Sequence, residues 1–399
     1  MTELVLVAGA MAAGGAALAR EEGGRVVFVE GALPGERVRA RVTAAKKDFA
    51  RAVAVEILDP SPDRVAPPCP ALAAGCGGCT WQHVSPAAQA RLKAGIVVDA
   101  LRRIAKLSDP PAPVPMHLDG PALRTTARLA VSPTGRAGHR PHAGTGAVET
   151  DGCLVAHPLL EELIVAGRYP GAGEVLLRVS VATGERLVLV DAGARRVEVP
   201  AGVAVFEEGD RREACVTEDA GGRRFRISAG SFFQPGPVVA DALAAAVDAA
   251  IGEALGAGDV LVDLYAGVGL FASTIGAGRA TKVIAIESDP SAVADARVNL
   301  ADLDATVVAA EVARWKPRPA GVVVADPSRS GLGRPGTGAV AATGAGRVVL
   351  VSCDPASMAR DTVLLGGAGY RLMSVALVDA FPHTFHTETV ARFDRQAGA

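Results

Sequence analysis

Three groups of residues combine reactive side chains with positions where a fold could use them. RVVLVSCDPASMARD places Cys353 just past an apolar run, and Asp354-Pro355 then opens a helix-like segment. In open α/β sheets, ligands bind at the carboxyl ends of strands, so a thiol there is well placed for chemistry. The positive end of the following helix would help hold it as a thiolate. Taken alone, such a cysteine reads more readily as a small buried hydrophobe. Two further segments shift the balance. GVVVADPSRSGLG ends another apolar run at Asp326-Pro327, and VDAFPHTFHTETVARF supplies His383, His386 and Glu388 before a final apolar stretch. A nucleophile and proton-accepting carboxylates on one sheet edge suit covalent catalysis.

The second group predicts a nucleoside site. In VLVDLYAGVGLFA an apolar strand ends at Asp263, and a turn with Gly267 and Gly269 opens a helix. Small residues there let the backbone approach a ligand. KVIAIESDP ends a second strand at Glu287, 18 positions past Gly269, where a carboxylate can accept ribose hydroxyls. Gly267-Val268-Gly269 continues as Leu270-Phe271-Ala272, so the dinucleotide pattern G-x-G-x-x-G is not met. An adenosine without phosphates fits better, which points to S-adenosylmethionine (SAM). A thiol, carboxylic acids and this cofactor together suggest covalent methyl transfer.

The third group is the cysteines. Cys69, Cys76 and Cys79 share one loop, and Cys153 follows in TDGCLVAHP. Four thiolates suit a 4Fe-4S cluster or a tetrahedral zinc site, and spacing alone leaves both open. Disulfides are disfavoured by the lack of an export signal. Cys215 has no partner motif and reads as structural.

SFFQ, DLYAGVGLFA, DPSRSGL, VSCDPASMARD and FPHTFHTETV occur in this order, and the chain resembles the uracil-5 RNA methyltransferases over nearly its whole length. Those enzymes make 5-methyluridine in ribosomal RNA or tRNA. The resemblance implies Cys353 as nucleophile and Glu388 as base. It implies Gln234, Tyr265, Glu287 and Asp326 as SAM contacts, with Asp326 alternatively positioning the uracil. It favours a 4Fe-4S cluster on Cys69, Cys76, Cys79 and Cys153, with zinc as the alternative. RNA is the implied partner, with 23S ribosomal RNA favoured and a tRNA T-loop uridine as the alternative; a small-molecule substrate is a more distant one. Two departures are visible: Ser328 replaces the second Pro of the usual DPPR, and Asp354 replaces the common Asn of SCNP. Phe232 and Phe233 read either as pocket walls or as core. His383 and His386 read either as site residues or as turn residues.

These groups need a scaffold, and the rest of the chain supplies the pattern of one. The 399 residues exceed a single core, and 49% hydrophobic residues exclude a disordered polymer. The expected fold class is mixed: an N-terminal β-barrel, a central α+β region, and a C-terminal α/β unit with a mostly parallel sheet. Short alternating strands with Gly and Pro turns suggest the barrel over 1–60, which resembles a TRAM domain, an OB-like RNA-binding module. A central domain carrying the cysteines is expected over 61–236, with largely antiparallel strands after a helix at 86–107. There Leu92, Ile96, Val97, Leu101 and Ile104 fall on one side. Strand–helix alternation over 237–399 implies a parallel sheet covered on both faces, the Rossmann-like arrangement of class I methyltransferases. Net charge is -2, so any nucleic-acid surface must be local; residues 86–141 hold nine Lys/Arg against three Asp/Glu. No uninterrupted apolar stretch reads as a membrane span. The N-terminal run lacks a basic start and carries Glu3, so a cytoplasmic monomer is expected.

Overall fold

The computed structural model describes residues 2–116, 118–120, 123–142, 144–210, 214–279 and 282–396. Its C-terminal half is an eight-stranded sheet. The strand order is Ala305–Ala309, Lys282–Glu287, Val260–Leu264, Val322–Ala325, Arg347–Ser352, Glu388–Arg395, Tyr370–Val378 and Val114–Pro115. The first five run parallel, and Glu388–Arg395 is antiparallel to both its neighbours. Along the central strands, side chains alternate between two cores. Leu261, Val283, Val322, Val324, Val349 and Val351 pack into one, and Val262, Ile286, Val323, Ala325, Val348 and Leu350 into the other. Burial on both faces explains why these strands read as unbroken apolar runs. The helices that cover them open on Pro237, Pro290 and Pro355, a residue whose missing N–H costs nothing at a first helical position.

The N-terminal sheet has the order Glu3–Val7, Arg37–Ala45, Phe49–Asp59, Val26–Glu30, Ala17–Arg20. The last strand lies inside the Gly/Ala-rich stretch and was not expected there. The helix Pro86–Arg103 ties this barrel to the sheet. Its first half, through Ala88, Leu92 and Ile96, packs into the barrel core; Val97, Ala100 and Leu101 pack into one of the two cores of the eight-stranded sheet. The helix stops four residues short of the expected 107. Ile104 falls outside it and is exposed, and the basic residues Arg102 and Arg103 of its last turn, also exposed, favour a helix end.

The central sheet runs Val203–Glu207, Arg186–Val190, Glu174–Val179, Thr126–Val131, Ala137–Gly138, with a separate hairpin Cys215–Ala220/Arg223–Ser228. Its pairing is antiparallel except that Val203–Glu207 runs parallel to Arg186–Val190. The helix Pro158–Ala166 packs on it and was not anticipated. Among the described residues, no helix is long and apolar enough to cross a membrane.

Candidate functional site

Cys353 follows the strand Arg347–Ser352 directly, between buried Ser352 and the N-cap residue of helix Pro355–Gly367. Asp354 fills the cap, accepting from Ser357 N–H at 2.6 Å. An Asn would cap equally well, so this departure from the family pattern preserves the helix start. Glu388 begins the neighbouring antiparallel strand and is 5% exposed. The register pairs Ser352 with Thr389. The ladder between these strands ends at that pair, which brings Cys353 and Glu388 to the same end of the sheet, close enough for the Glu388 carboxyl to act on the thiol.

Asp326 follows the strand Val322–Ala325, and its N–H donates to Leu264 O at 3.2 Å. Its Oδ2 accepts from the buried Gln234 amide at 3.3 Å. Burial, opposed by that amide, pushes Asp326 up to about 7. Burial and then the charge of Asp326 hold Glu388 well above the usual carboxylate range, while Arg329 opposes. Burial, Glu388 and Asp326 push the Cys353 thiol up to about 11, again against Arg329. Burial and the two carboxyl groups act against the helix terminus that was expected to hold a thiolate, and Asp354 already occupies one of the N–H groups of that terminus.

The glycine turn sits at the same sheet edge. Tyr265 adopts a left-handed φ of 62°, and Gly267 and Gly269 follow with φ of 55° and 91°. A side-chain-bearing residue held in this region is backbone strain of the kind found at ligand sites. Gly336 explains where the Tyr265 ring goes: a Cβ there would stand 3.0 Å from its hydroxyl. Glu287 ends its strand, with Oε2 accepting from Gly267 N–H at 2.8 Å and Oε1 from Ser288 and Asp289 N–H at 2.6 and 2.7 Å. Three of about four carboxylate acceptor positions are thus filled by backbone. The remaining one can take a single ribose hydroxyl, so accepting both needs this turn to adjust.

SFFQ is held from beneath. Arg178 is buried and donates to Ser228 O and, at 2.8 Å, to Ser231 O. Asp295 accepts from Ser231 Oγ at 2.6 Å and pairs with Arg226. Phe233 packs on Phe225 in the core, whereas Phe232 is 68% exposed beside Gln234. The pair therefore divides, one core residue and one free aromatic face. His383 and His386 are placed differently from each other. His383 is a loop anchor in left-handed conformation (φ 60°), its N–H donating to Gln89 Oε1 at 2.7 Å. His386 meets Phe381 edge-on and Phe385 at a tilt, with burial and then Arg329 pulling it down to about 4.

Two residues escaped the sequence reading as site residues. Arg329 is the cation facing Cys353, Glu388 and His386. Asp263 is fully buried; Oδ2 accepts from Ala272 N–H at 2.9 Å, but Oδ1 has no partner. Burial pushes its carboxyl up to about 8, and Asp326 and Glu287 add to that. Unfolding therefore releases a proton above about pH 4, and stability falls as pH rises toward 8. Asp263→Asn keeps the acceptor to Ala272 and cannot ionise. It is expected to raise the melting temperature, most strongly near pH 8, with a flatter profile from pH 5 to 8. A melting curve with unchanged pH slope would refute this reading of Asp263.

The four cysteines Cys69, Cys76, Cys79 and Cys153 line one small cavity with Gln82 and His139. Gly77 and Gly78 are required by close approach. A Cβ on Gly77 would meet Arg140 O at 2.8 Å, and one on Gly78 the His139 ring at 3.1 Å. All four thiols are free. Burial raises Cys79 and Cys153, and each is raised further by neighbouring thiols. Among the described residues, no three His, Cys, Asp or Glu side chains are disposed to hold a single metal ion. Cys215 lies apart, at the start of the hairpin strand Cys215–Ala220.

Comparison with known proteins bears on this arrangement. Residues 2–55 match the TRAM domain family. An RNA methyltransferase of Streptomyces coelicolor is 38% identical over 96% of this chain and 91% of its own. The 23S rRNA (uracil(1939)-C(5))-methyltransferase of Alkalilimnicola ehrlichii is 32% identical over 94% of this chain and 92% of its own. The chain belongs to the uracil-5 RNA methyltransferase family. Its fold also matches the crystal structure of Pyrococcus abyssi tRNA (uracil-54, C5)-methyltransferase with S-adenosyl-L-homocysteine. That match has a TM-score of 0.74 and 23% identity, covering 98% of this chain and 99% of the other. The barrel, central region and class I methyltransferase sheet described above are therefore the architecture of this family.

Proposed function

We propose that this protein methylates carbon 5 of a uridine in RNA, 23S ribosomal RNA in the first instance, through a covalent bond between Cys353 and carbon 6. A tRNA uridine is the alternative substrate. The observation that carries the reading is that Cys353 and Glu388 stand at the same end of two neighbouring strands, with Asp326 and Glu388 both acting on the thiol and the Tyr265–Gly269 turn at the same sheet edge.

Carbon 5 of uracil is a weak nucleophile. Sulfur of Cys353 forms a bond to carbon 6, and the displaced π pair makes carbon 5 electron-rich. SAM, when bound, supplies an electrophilic methyl group on a positively charged sulfur. The residues present fit such a cation: Asp263, Glu287 and Asp326 form a carboxyl cluster, and Asp263 has an orphaned buried oxygen. Gln234, Tyr265, Glu287 and Asp326 are the residues assigned to hold it. Glu388 then takes the carbon-5 proton, the C5–H pair rebuilds the C5=C6 bond, and the C6–S pair returns to Cys353. The ring must leave its stack for the thiol to reach its face. Exposed Phe232, beside Gln234, is a platform on which a base can stack.

The four cysteines are assigned to a 4Fe-4S cluster rather than zinc. Four thiols lining one cavity fit a 4Fe-4S cluster, which takes four thiolate ligands. The cluster has no step in the transfer. A cytoplasmic location accompanies an RNA substrate. Mapping 5-methyluridine by mass spectrometry in ribosomal RNA and tRNA from a deletion strain tests the assignment. One 23S uridine is expected to lose its methyl group; an unchanged map would overturn the reading.

A further inference from the structure

The loop that delivers Glu388 to its strand is held by the two segments that carry the cysteines. On one side, Cys79 is followed by Thr80 and the buried Trp81. The Trp81 N–H donates to His383 O at 2.8 Å, and the Trp81 indole donates to Gly15 O of the barrel at 3.1 Å. On the other side, Cys153 O accepts from Ala156 N–H at 3.0 Å, and Val155 O accepts from Arg124 N–H at 2.8 Å. The Arg124 guanidinium lies 5.9 Å from the centroid of the Phe381 ring. Residues 381–387 are thus held by these two straps at Phe381 and His383, alongside helix Pro86–Arg103, whose Lys93 donates to Phe381 O at 2.9 Å and whose Gln89 accepts from His383 N–H at 2.7 Å. His383 needs this support, since its φ of 60° is a conformation a residue with a Cβ adopts only when held. Five residues later stands Glu388.

We propose that the four-thiol centre positions Glu388 for the proton-abstraction step through Trp81 and Arg124. This inference rests on the proposed reading of the cysteines as a cluster site and deepens it. Bond formation from Cys353 and methyl transfer draw on the opposite strand and the glycine turn, which the straps do not touch. Loss of the centre therefore stalls the reaction late. The methyl group is on carbon 5, the carbon-5 proton is not taken up by the Glu388 carboxylate, the C5=C6 bond does not reform, and sulfur stays on carbon 6.

The test uses the full chain, with iron and acid-labile sulfide measured first. The cluster is removed with a chelator and mild oxidant, thiols are restored with a reductant, and unmodified RNA and SAM are added. The methylated protein–RNA adduct is expected to rise at least tenfold over the untreated protein, with SAM affinity unchanged. Because cluster removal can unfold the central region, Arg124→Met is measured beside it. This variant is expected to retain its iron, bind SAM normally and accumulate the same methylated adduct. Purified protein without iron would overturn the cluster reading itself. Iron-loaded protein whose adduct clears at an unchanged rate, both after cluster removal and in Arg124→Met, would overturn the positioning role alone.

Discussion

Cys353→Ala is expected to abolish methylation, by at least about 10⁴-fold or roughly 5 kcal/mol of barrier, while leaving SAM affinity within twofold. No other described thiol stands at this edge: Cys215 lies on the hairpin, and the remaining four line their own cavity. Alanine fits the site without strain, because Cys353 precedes the helix and its capping is done by Asp354. With 5-fluorouridine RNA and SAM, carbon 5 carries fluorine in place of a removable proton, so the wild-type protein should form a gel-stable adduct and the variant none. The rate of adduct formation carries its own signature. A thiol pushed up to about 11 is almost wholly protonated near neutrality. The thiolate fraction, and with it the rate, should rise about tenfold per pH unit from 6.5 to 8.5. An adduct persisting in Cys353→Ala would remove the nucleophile assignment.

What could be read from the chain, and what could not, divides along physical lines. Val322–Ala325 and Val348–Val351 are apolar at every position because both faces are buried, and such runs announce themselves. Ala17–Arg20 does not. Its residues are weak strand formers, and it exists because Leu18 pairs with Phe28 and Ala19 with Val27. Val114–Pro115 is two residues long and is a strand only because Ala376 and Leu377 lie beside it. A pairing partner far away in sequence leaves no local trace.

The candidate site follows the same division. Cys353, Asp326 and Glu287 could be placed at strand ends from the runs preceding them. That Cys353 and Glu388 meet at one end of the sheet could not, because it depends on antiparallel pairing between distant segments. CGGC was legible as cysteine spacing, but not the reason for its glycines, which is the passage of residues 139–142 across them. Asp263 was legible as a strand end and not as an orphaned acid, since the missing partner of Oδ1 is a property of packing. Electrostatic sign was the least legible feature. A helix start after Cys353 argues for a thiolate, and burial with the neighbours Glu388 and Asp326, features of packing, act against it.

Glu388→Gln separates the two halves of the reaction. Glutamine preserves the shape of a side chain that is 5% exposed and cannot accept the carbon-5 proton. Bond formation from Cys353 and methyl transfer need no base at carbon 5, so they should proceed; resolution should not. The expected result is a methylated RNA adduct that accumulates with unmodified RNA and SAM, and multiple-turnover methylation reduced about 10²–10⁴-fold, the usual worth of a positioned base. The variant also removes a charge that raises the Cys353 thiol. Its first step should therefore be as fast as in the wild type or faster, at pH values where Glu388 would be ionised. Burial and Asp326 hold the Glu388 carboxyl high, so in the wild type the resolving step should speed up as pH rises and that carboxyl ionises. In Glu388→Gln this pH dependence should vanish from the resolving step while persisting in adduct formation. A variant that turns over normally, or one that stalls before the methyl group is transferred, would place the base elsewhere on the sheet edge, with Asp326 the next candidate by position and by its own raised carboxyl.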